Sequence, residues 1–208
     1  MNTVSTQHSA VLLQAFDLAC VRGERVLFGS LHAVLRAGEA LLVAGPNGSG
    51  KTSLLRALCG LSSPARGSVS RGAATVYLGH ASGLKDELDA VENLCAGAAL
   101  AGAPVARGAA LAALADNGLA QLARLPVGAL SQGQRKRVAL TRLRLAPAGA
   151  VWILDEPFSA LDSAGVERLR DLLDEHLAAG GAVVYTTHQP VALAAWRTQR
   201  IDLGHAPC

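Results

Sequence analysis

Long hydrophobic runs are missing from this chain of 208 residues. Its most apolar stretch, residues 95–106, is interrupted by Gly97, Gly102 and Pro104, and it is shorter than the ~20 residues that a membrane-spanning helix needs. Residues 1–10 are polar and lack the apolar segment of a signal peptide, so we expect none. Aromatic residues make up only 3% of a chain that is half hydrophobic, with alanine and leucine dominating. This composition predicts one soluble domain with apolar surface for docking.

Paired cysteines and a strong net charge are also missing. The six histidines lack metal-ligand spacing, and the cysteines are dispersed without a C-x-x-C pair, which predicts reduced cytosolic thiols and no zinc site. The cysteines are Cys20, Cys59, Cys95 and Cys208.

The net charge is only +3, and the basic groups at 135–137 and 142–144 are separated by apolar residues in a predicted helix. That pattern favours a solvated or phosphate-facing helix side, so we expect no nucleic-acid partner.

Residues 45–52 have the sequence GPNGSGKT, which is the phosphate-loop pattern G-x-x-x-x-G-K-[ST]. An apolar run at 41–44 precedes it and a helix-like segment at 53–58 follows, so the loop stands between a strand and a helix as this motif requires. Its glycines let backbone N–H groups approach phosphate oxygens, Lys51 can reach the β- and γ-phosphates, and the Thr52 hydroxyl can ligate Mg²⁺. A glycine-rich turn arising by chance is the weaker alternative. The predicted nucleotide-binding residues are Gly45, Pro46, Asn47, Gly48, Ser49, Gly50, Lys51, Thr52 and Ser53.

A second motif, an apolar strand followed by two acidic residues, lies about a hundred residues later. Val151–Leu154 is a short apolar run, typical of a strand buried on both faces of a parallel sheet. Asp155 and Glu156 follow at its carboxyl end, where open α/β sheets place their ligands. Asp155 suits the hydration shell of Mg²⁺ and Glu156 suits polarisation of an attacking water. An acidic pair that merely ends a strand is the alternative, and the phosphate loop argues against it.

Between these segments lies the sequence LSQGQ at residues 130–134. Ser131 is a good N-cap for a helix running towards Pro147. A serine and a glycine at a helix N-terminus form a second anion-binding end. The pentapeptide is a weak signal alone, but its position just before the acidic strand strengthens it.

With these segments in this order, the chain resembles the ATP-binding subunits of ABC transporters from about Val11 to Leu203. The resemblance covers the Walker A loop at 45–52, the signature at 130–134, Walker B at 151–156 with Glu156 as catalytic glutamate, the D-loop at 159–162 with Asp162, and the switch histidine at His188. It implies an α/β P-loop NTPase fold with a parallel core sheet, an N-terminal antiparallel β portion and an inserted helical subdomain at about residues 81–146. A single ATP-binding domain then spans residues 1–208.

The sequence departs from the family pattern at three places. Gln132 stands where the signature usually has its first glycine. His80 occupies the position of the Q-loop glutamine, the residue that usually contacts Mg²⁺ in the family. Neither Val21 nor Arg22 supplies the aromatic side chain that commonly stacks on adenine.

A narrower resemblance is to the haem-exporter ATPase of the cytochrome c maturation system, a subgroup that shares the last two departures. It is carried by the sequences at 77–80, 83–88, 91–94, 152–158 and 186–190. No residue is assigned as a haem ligand.

The resemblance implies that two copies bind ATP and Mg²⁺ head-to-tail between them. One copy supplies Lys51, Thr52, Asp155, Glu156 and His188, and the other supplies Ser131, Gly133 and Gln134. Thr52 and Asp155, the latter through water, hold Mg²⁺, with His80 a weaker candidate. Glu156 orients the attacking water and His188 holds the γ-phosphate.

The implied partners are integral membrane permease subunits that contact about residues 81–94 at the cytoplasmic face of the bacterial inner membrane. The implied function is ATP hydrolysis that powers haem export or release of a haem carrier in c-type cytochrome biogenesis. Two alternatives stay open: the ATP-binding subunit of another small-molecule transporter, and a soluble ABC-type ATPase acting on ribosomes or DNA. Members of the last class usually carry two cassettes or long insertions, and this chain has neither.

Overall fold

A computed structural model describes residues 10–204 of the chain. The predictions about residues 1–9 and about Cys208 therefore concern residues outside the described range. The described residues form two compact units. The first unit takes in residues 10–77, 148–157 and 170–204, and the second takes in residues 78–147 and 158–169.

Eight strands and five α-helices are seen within residues 10–204. The strands are β1 (Val11–Arg22), β2 (Arg25–Arg36), β3 (Glu39–Ala44), β4 (Arg66–Arg71), β5 (Thr75–Leu78), β6 (Val151–Leu154), β7 (Ala182–Tyr185) and β8 (Arg197–Asp202). The helices are α1 (Lys51–Cys59), α2 (Ala90–Leu100), α3 (Arg107–Asp116), α4 (Gln132–Thr141) and α5 (Ser163–Ala178). Within the described range, no helix is both long and apolar enough to cross a membrane.

The antiparallel portion of the first unit is a three-stranded sheet in the order β2-β1-β4. Strands β1 and β2 pair through Leu13 with Leu35 and Ala15 with Ala33, and these inward-facing residues are buried. Both strands run for twelve residues because their pairing continues up to the turn at Gly23.

The core of the first unit is a five-stranded sheet in the order β5-β6-β7-β3-β8. Strand β7 lies between β6 and β3, and both pairings are parallel. Every residue of β6 and β7 is buried, as expected for strands covered on both faces. The α/β class with a parallel core and an antiparallel β portion is thus confirmed. Strand β7 ends at Tyr185. The Thr186 N–H still donates to the Leu154 carbonyl at 3.1 Å, and the Thr186 hydroxyl donates to Asp155 in the acidic segment.

The second unit is helical, and its helices are interrupted at Gly102–Pro104, Gly118 and Pro126. Its apolar core comes from α2, α3, α4 and the turns that join them. The helix predicted from Ser131 towards Pro147 is too long: α4 ends at Thr141 and continues as a 3₁₀ turn over Arg142–Leu145. Thr141 Oγ1 donates to the Arg137 carbonyl 3.0 Å away, and such back-bonding to the preceding turn disturbs an α-helix.

Candidate functional site

The phosphate loop ends in a helix whose first turn is open to an anion. Helix α1 begins at Lys51, no side chain caps its N-terminus, and its first turn contains no acidic residue. The N–H groups of that turn and the helix dipole therefore favour a negatively charged ligand. Gly50 has φ of 102°, and a Cβ there would lie 3.0 Å from the Leu27 side chain, so no other residue fits this position without strain.

Lys51 closes over the loop from which it extends. Its Nζ donates to the carbonyl oxygens of Gly45 at 2.7 Å and Pro46 at 3.1 Å. These two bonds hold the ammonium group at the loop, within reach of a phosphate bound by the same loop.

The Asp155 carboxylate is held by two threonines at the carboxyl end of β6. Its Oδ2 accepts from Thr52 Oγ1 at 2.7 Å and its Oδ1 accepts from Thr186 Oγ1 at 2.9 Å. Asp155 is only 4% exposed, so the two hydroxyl donors compensate for the loss of water around a buried charge. Nearby, burial and the charge of Asp155 raise the pKa of Tyr77 to about 12, which keeps that phenol protonated.

Glu156 is fixed in an unusual backbone conformation directly after Asp155. Its φ is 50°, a left-handed value that costs a non-glycine residue about 1–3 kcal/mol and often occurs at functional sites. Its N–H donates to Thr186 Oγ1 at 2.8 Å, which ties this conformation to the end of β7. Its Oε1 lies 3.3 Å from His188 Nε2. The turn therefore directs one carboxylate towards the histidine that follows β7.

Thr186 is the functional residue that sequence reasoning missed. Its hydroxyl donates to Asp155 and accepts from the Glu156 backbone, so it connects both acidic residues. Only the histidine of the segment Tyr185–His188 was assigned from sequence. The signal that points to Thr186 is a hydroxyl residue at the end of a buried strand beside the acidic one.

The signature residues lie in the second unit, at the N-terminus of α4. Ser131 Oγ accepts from the Gln134 N–H at 3.2 Å, and Gln134 Oε1 accepts from the Ser131 N–H at 2.9 Å. This capping box confirms Ser131 as the N-cap. It leaves the Ser131 hydroxyl hydrogen and the Gln134 amide group available to a ligand.

Asp162 and His80 also belong to the second unit. Asp162 Oδ1 accepts from the Gly165 N–H at 2.8 Å, so Asp162 caps α5. His80 is exposed. No group of three or more His, Cys, Asp or Glu side chains suited to a metal ion occurs among residues 10–204.

The structure thus brings Lys51, Thr52, Asp155, Glu156 and His188 together in the first unit. These residues offer phosphate-binding amides, a cation, a buried carboxylate beside a hydroxyl, and a second carboxylate beside an imidazole. Such a set can bind a polyphosphate and orient a water molecule for attack on it. The hydroxyl of Thr52 and the carboxylate of Asp155 are the oxygen donors that Mg²⁺ prefers.

Three comparisons with known proteins agree with this geometry. The family model described as ABC transporter matches residues 28–159. The cytochrome c biogenesis ATP-binding export protein CcmA of Nitrosospira multiformis is 46% identical over 203 residues, which cover 92% of this chain and 98% of that protein. A solved ATP-binding subunit of an ABC transporter superposes with a TM-score of 0.76 at 25% identity, over 85% of this chain and 79% of the other. The dimeric post-hydrolysis state of the ATP-binding cassette MJ0796 with ADP and Pi superposes with a TM-score of 0.75 at 24% identity, over 85% of this chain and 88% of that one.

Proposed function

Since the chain belongs to the ABC transporter family as an ATP-binding subunit, we propose that its ATP hydrolysis powers haem export or release of a haem carrier in the biogenesis of c-type cytochromes. The observation that carries this proposal is the relative named for cytochrome c biogenesis, which is 46% identical over nearly the full length of both chains. The catalytic half of the proposal is supported by Asp155, held between Thr52 and Thr186, and by Glu156 beside His188.

In the proposed mechanism, the amides of the phosphate loop and Lys51 bind the β- and γ-phosphates of ATP. Thr52 and Asp155 would hold Mg²⁺, which when bound neutralises charge on the phosphate oxygens. Glu156 accepts a hydrogen bond from the attacking water and aligns it with the γ-phosphorus. His188, 3.3 Å from Glu156, donates to a γ-phosphate oxygen and helps to fix that carboxylate. Catalysis then consists mainly of positioning and charge stabilisation.

The second part of the proposal is a head-to-tail pair of subunits with ATP between them. The Ser131 hydroxyl, the backbone at Gly133 and the Gln134 amide would contact the nucleotide bound by the other copy. The Ser131 hydroxyl hydrogen and the Gln134 amide group, which the capping box does not use, support this role. Further support comes from the solved relative of the same fold, which is a dimer bound to ADP and Pi.

The third part concerns the membrane. An ATP-binding export subunit acts on permease subunits, and we place the contact at residues 81–94 of the second unit and the protein at the cytoplasmic face of the inner membrane. The printed name of the relative, an export protein, supports a membrane partner of this kind.

Complementation tests the proposed pathway. In a bacterium lacking its own copy of this subunit, the wild-type chain should restore haem staining of c-type cytochromes, and Lys51→Ala should not. Arg170→Ala, which removes an exposed charge from α5, is the matched control and should restore staining. Other haem proteins should be normal throughout. Failure of the wild-type chain to restore staining would rule out the pathway and favour another transporter. Restored staining with Lys51→Ala would contradict the need for ATP binding, and co-sedimentation with ribosomes instead of membranes would favour the soluble class.

A further inference from the structure

Arg135 makes two contacts that reach back from the first turns of α4. Its Nη2 donates to the Gly128 carbonyl at 3.0 Å, and its Nη1 lies 3.0 Å from Asp86 Oδ1. Gly128 in turn donates its N–H to the Asp86 carbonyl at 2.9 Å. One guanidinium therefore connects the turn before the signature with a loop more than forty residues earlier in the chain.

The loop that contains Asp86 is itself held firmly. Asn93, only 5% exposed, accepts from the Lys85 N–H at 2.7 Å and donates to the carbonyls of Lys85, Leu88 and Asp89. The Val127 N–H also donates to the Leu88 carbonyl at 3.0 Å. Asp86 thus provides a fixed anchor, and the chain just before the signature is attached to the same loop.

The turn that Arg135 contacts leads directly into the signature. Leu130 donates its N–H to the Val127 carbonyl, and Ser131 follows as the N-cap of α4. The fit at the turn is close, since a Cβ on Gly128 would lie 3.1 Å from the Asp86 carbonyl oxygen. A shift of this turn would therefore displace Ser131 together with the N–H groups behind it.

From this arrangement we propose that Arg135 is a positioning residue for the signature: by bridging Asp86 and Gly128 it fixes the direction in which the Ser131 end of α4 points. This inference rests on the proposed function, in which that end meets the ATP of a second subunit. Arg135 would itself touch no nucleotide and would act through the turn at residues 127–130.

The ion pair between Arg135 and Asp86 is partly exposed, so its role in positioning can be distinguished from a role in stability. The side chains of Arg135 and Asp86 are 31% and 58% exposed, and exposed ion pairs contribute little to folding. The planar guanidinium can address a carboxylate and a carbonyl at once, which a lysine ammonium does with less defined geometry. Loss of Arg135 should therefore change the direction of the signature more than it changes stability.

The test uses the purified full-length chain and four variants: Arg135→Ala, Arg135→Lys, Asp86→Asn and the control Arg170→Ala, whose ion pair with Asp171 is also exposed. For Arg135→Ala we expect ATP turnover to fall ~10-fold, as for a displacement remote from the reacting atoms. ATP affinity of the monomer and the melting temperature should be unchanged. Arg135→Lys and Asp86→Asn should lose less turnover, and Arg170→Ala none.

Unchanged turnover in Arg135→Ala would overturn the inference, and so would an equal loss of ATP affinity, turnover and melting temperature. If Arg135→Ala fails to fold, Asp86→Asn decides, because it retains an acceptor and changes only an exposed side chain. Failure of the proposed function would give a different result, because the wild-type chain would then neither hydrolyse ATP nor dimerise with it.

Discussion

The two compact units hold their functional side chains in different ways. In the first unit, Asp155 and Glu156 are held by Thr52 and Thr186, which come from a helix and from the end of a neighbouring strand. In the second unit, Ser131 and Gln134 hold each other within a single turn. The acidic pair thus depends on the register of the parallel sheet, whereas the signature depends on a local cap and on the loop that anchors it.

The largest effect that distinguishes these two modes is expected from Thr186→Val. The substitution keeps the shape of the side chain but removes the hydroxyl that serves both Asp155 and the Glu156 backbone. We expect ATP turnover to fall by ~10–10²-fold because both carboxylates lose their alignment. The free energy of unfolding should fall by about 1–3 kcal/mol because buried polar groups lose a partner. Phosphate release and denaturant titration measure the two effects.

Thr187→Val is the matched control, because the Thr187 hydroxyl bonds to the backbone of Gln189 and not to the acidic pair among residues 10–204. It should retain nearly wild-type turnover, and Thr186→Ser should recover most of it. Equal losses in Thr186→Val and Thr187→Val would show that the acidic pair does not depend on this hydroxyl.

A smaller and different effect is expected from Asn93→Ala in the second unit. The variant leaves the carbonyls of Lys85, Leu88 and Asp89 without their shared donor, which should lower the free energy of unfolding by about 1–3 kcal/mol. ATP affinity of the monomer should be retained, since the phosphate loop belongs to the first unit. A loss of ATP affinity in a folded Asn93→Ala protein would contradict the separation of the two regions.

The smallest effect should appear as a pH dependence of the first unit. His176 stacks on Trp152 with ring centroids 3.6 Å apart and is only 8% exposed. Burial lowers the pKa of His176 below 6.5, and hydrogen bonding to the carbonyls of Ala150 and Ala182 partly opposes this. The unfolded chain therefore binds this proton more readily than the folded one. Its contribution to stability is complete above pH 6.5 and is lost as the pH falls from 6.5 through the folded pKa.

His176→Phe keeps an aromatic ring against Trp152 and cannot be protonated. Melting temperatures from pH 7.5 down to pH 5 should fall less in this variant than in the wild type. Parallel pH profiles would mean that other groups cause the acid sensitivity.

Local sequence patterns predicted the nucleotide-binding motifs well, because each motif is encoded by consecutive residues. The strand Val151–Leu154 has the bounds expected from sequence, and Ser131 caps its helix. The roles assigned to Glu156 and His188 stay predictions, although the structure brings the two side chains together.

The parts that sequence could not predict depend on pairing between distant segments. Thr186 meets Asp155 because Leu154 pairs with Tyr185 across β6 and β7, and no local pattern specifies that register. The contact between Arg135 and Asp86 likewise depends on how α4 packs beside the loop before α2. The early end of α4 at Thr141 coincides with a hydrogen bond from the Thr141 hydroxyl to the Arg137 carbonyl, which the helical pattern of the sequence does not reveal.

The central claim, that Glu156 orients the water that attacks ATP, is tested most directly by Glu156→Gln. This change keeps the size of the side chain and removes the charge that polarises water. ATP should still bind, because Lys51, Thr52 and Asp155 are untouched, while turnover should fall by ~10²-fold or more. Gel filtration with ATP should then show a dimer at concentrations where the wild type is mostly monomeric. Turnover at the wild-type rate, or a variant that binds ATP and stays monomeric, would contradict the account.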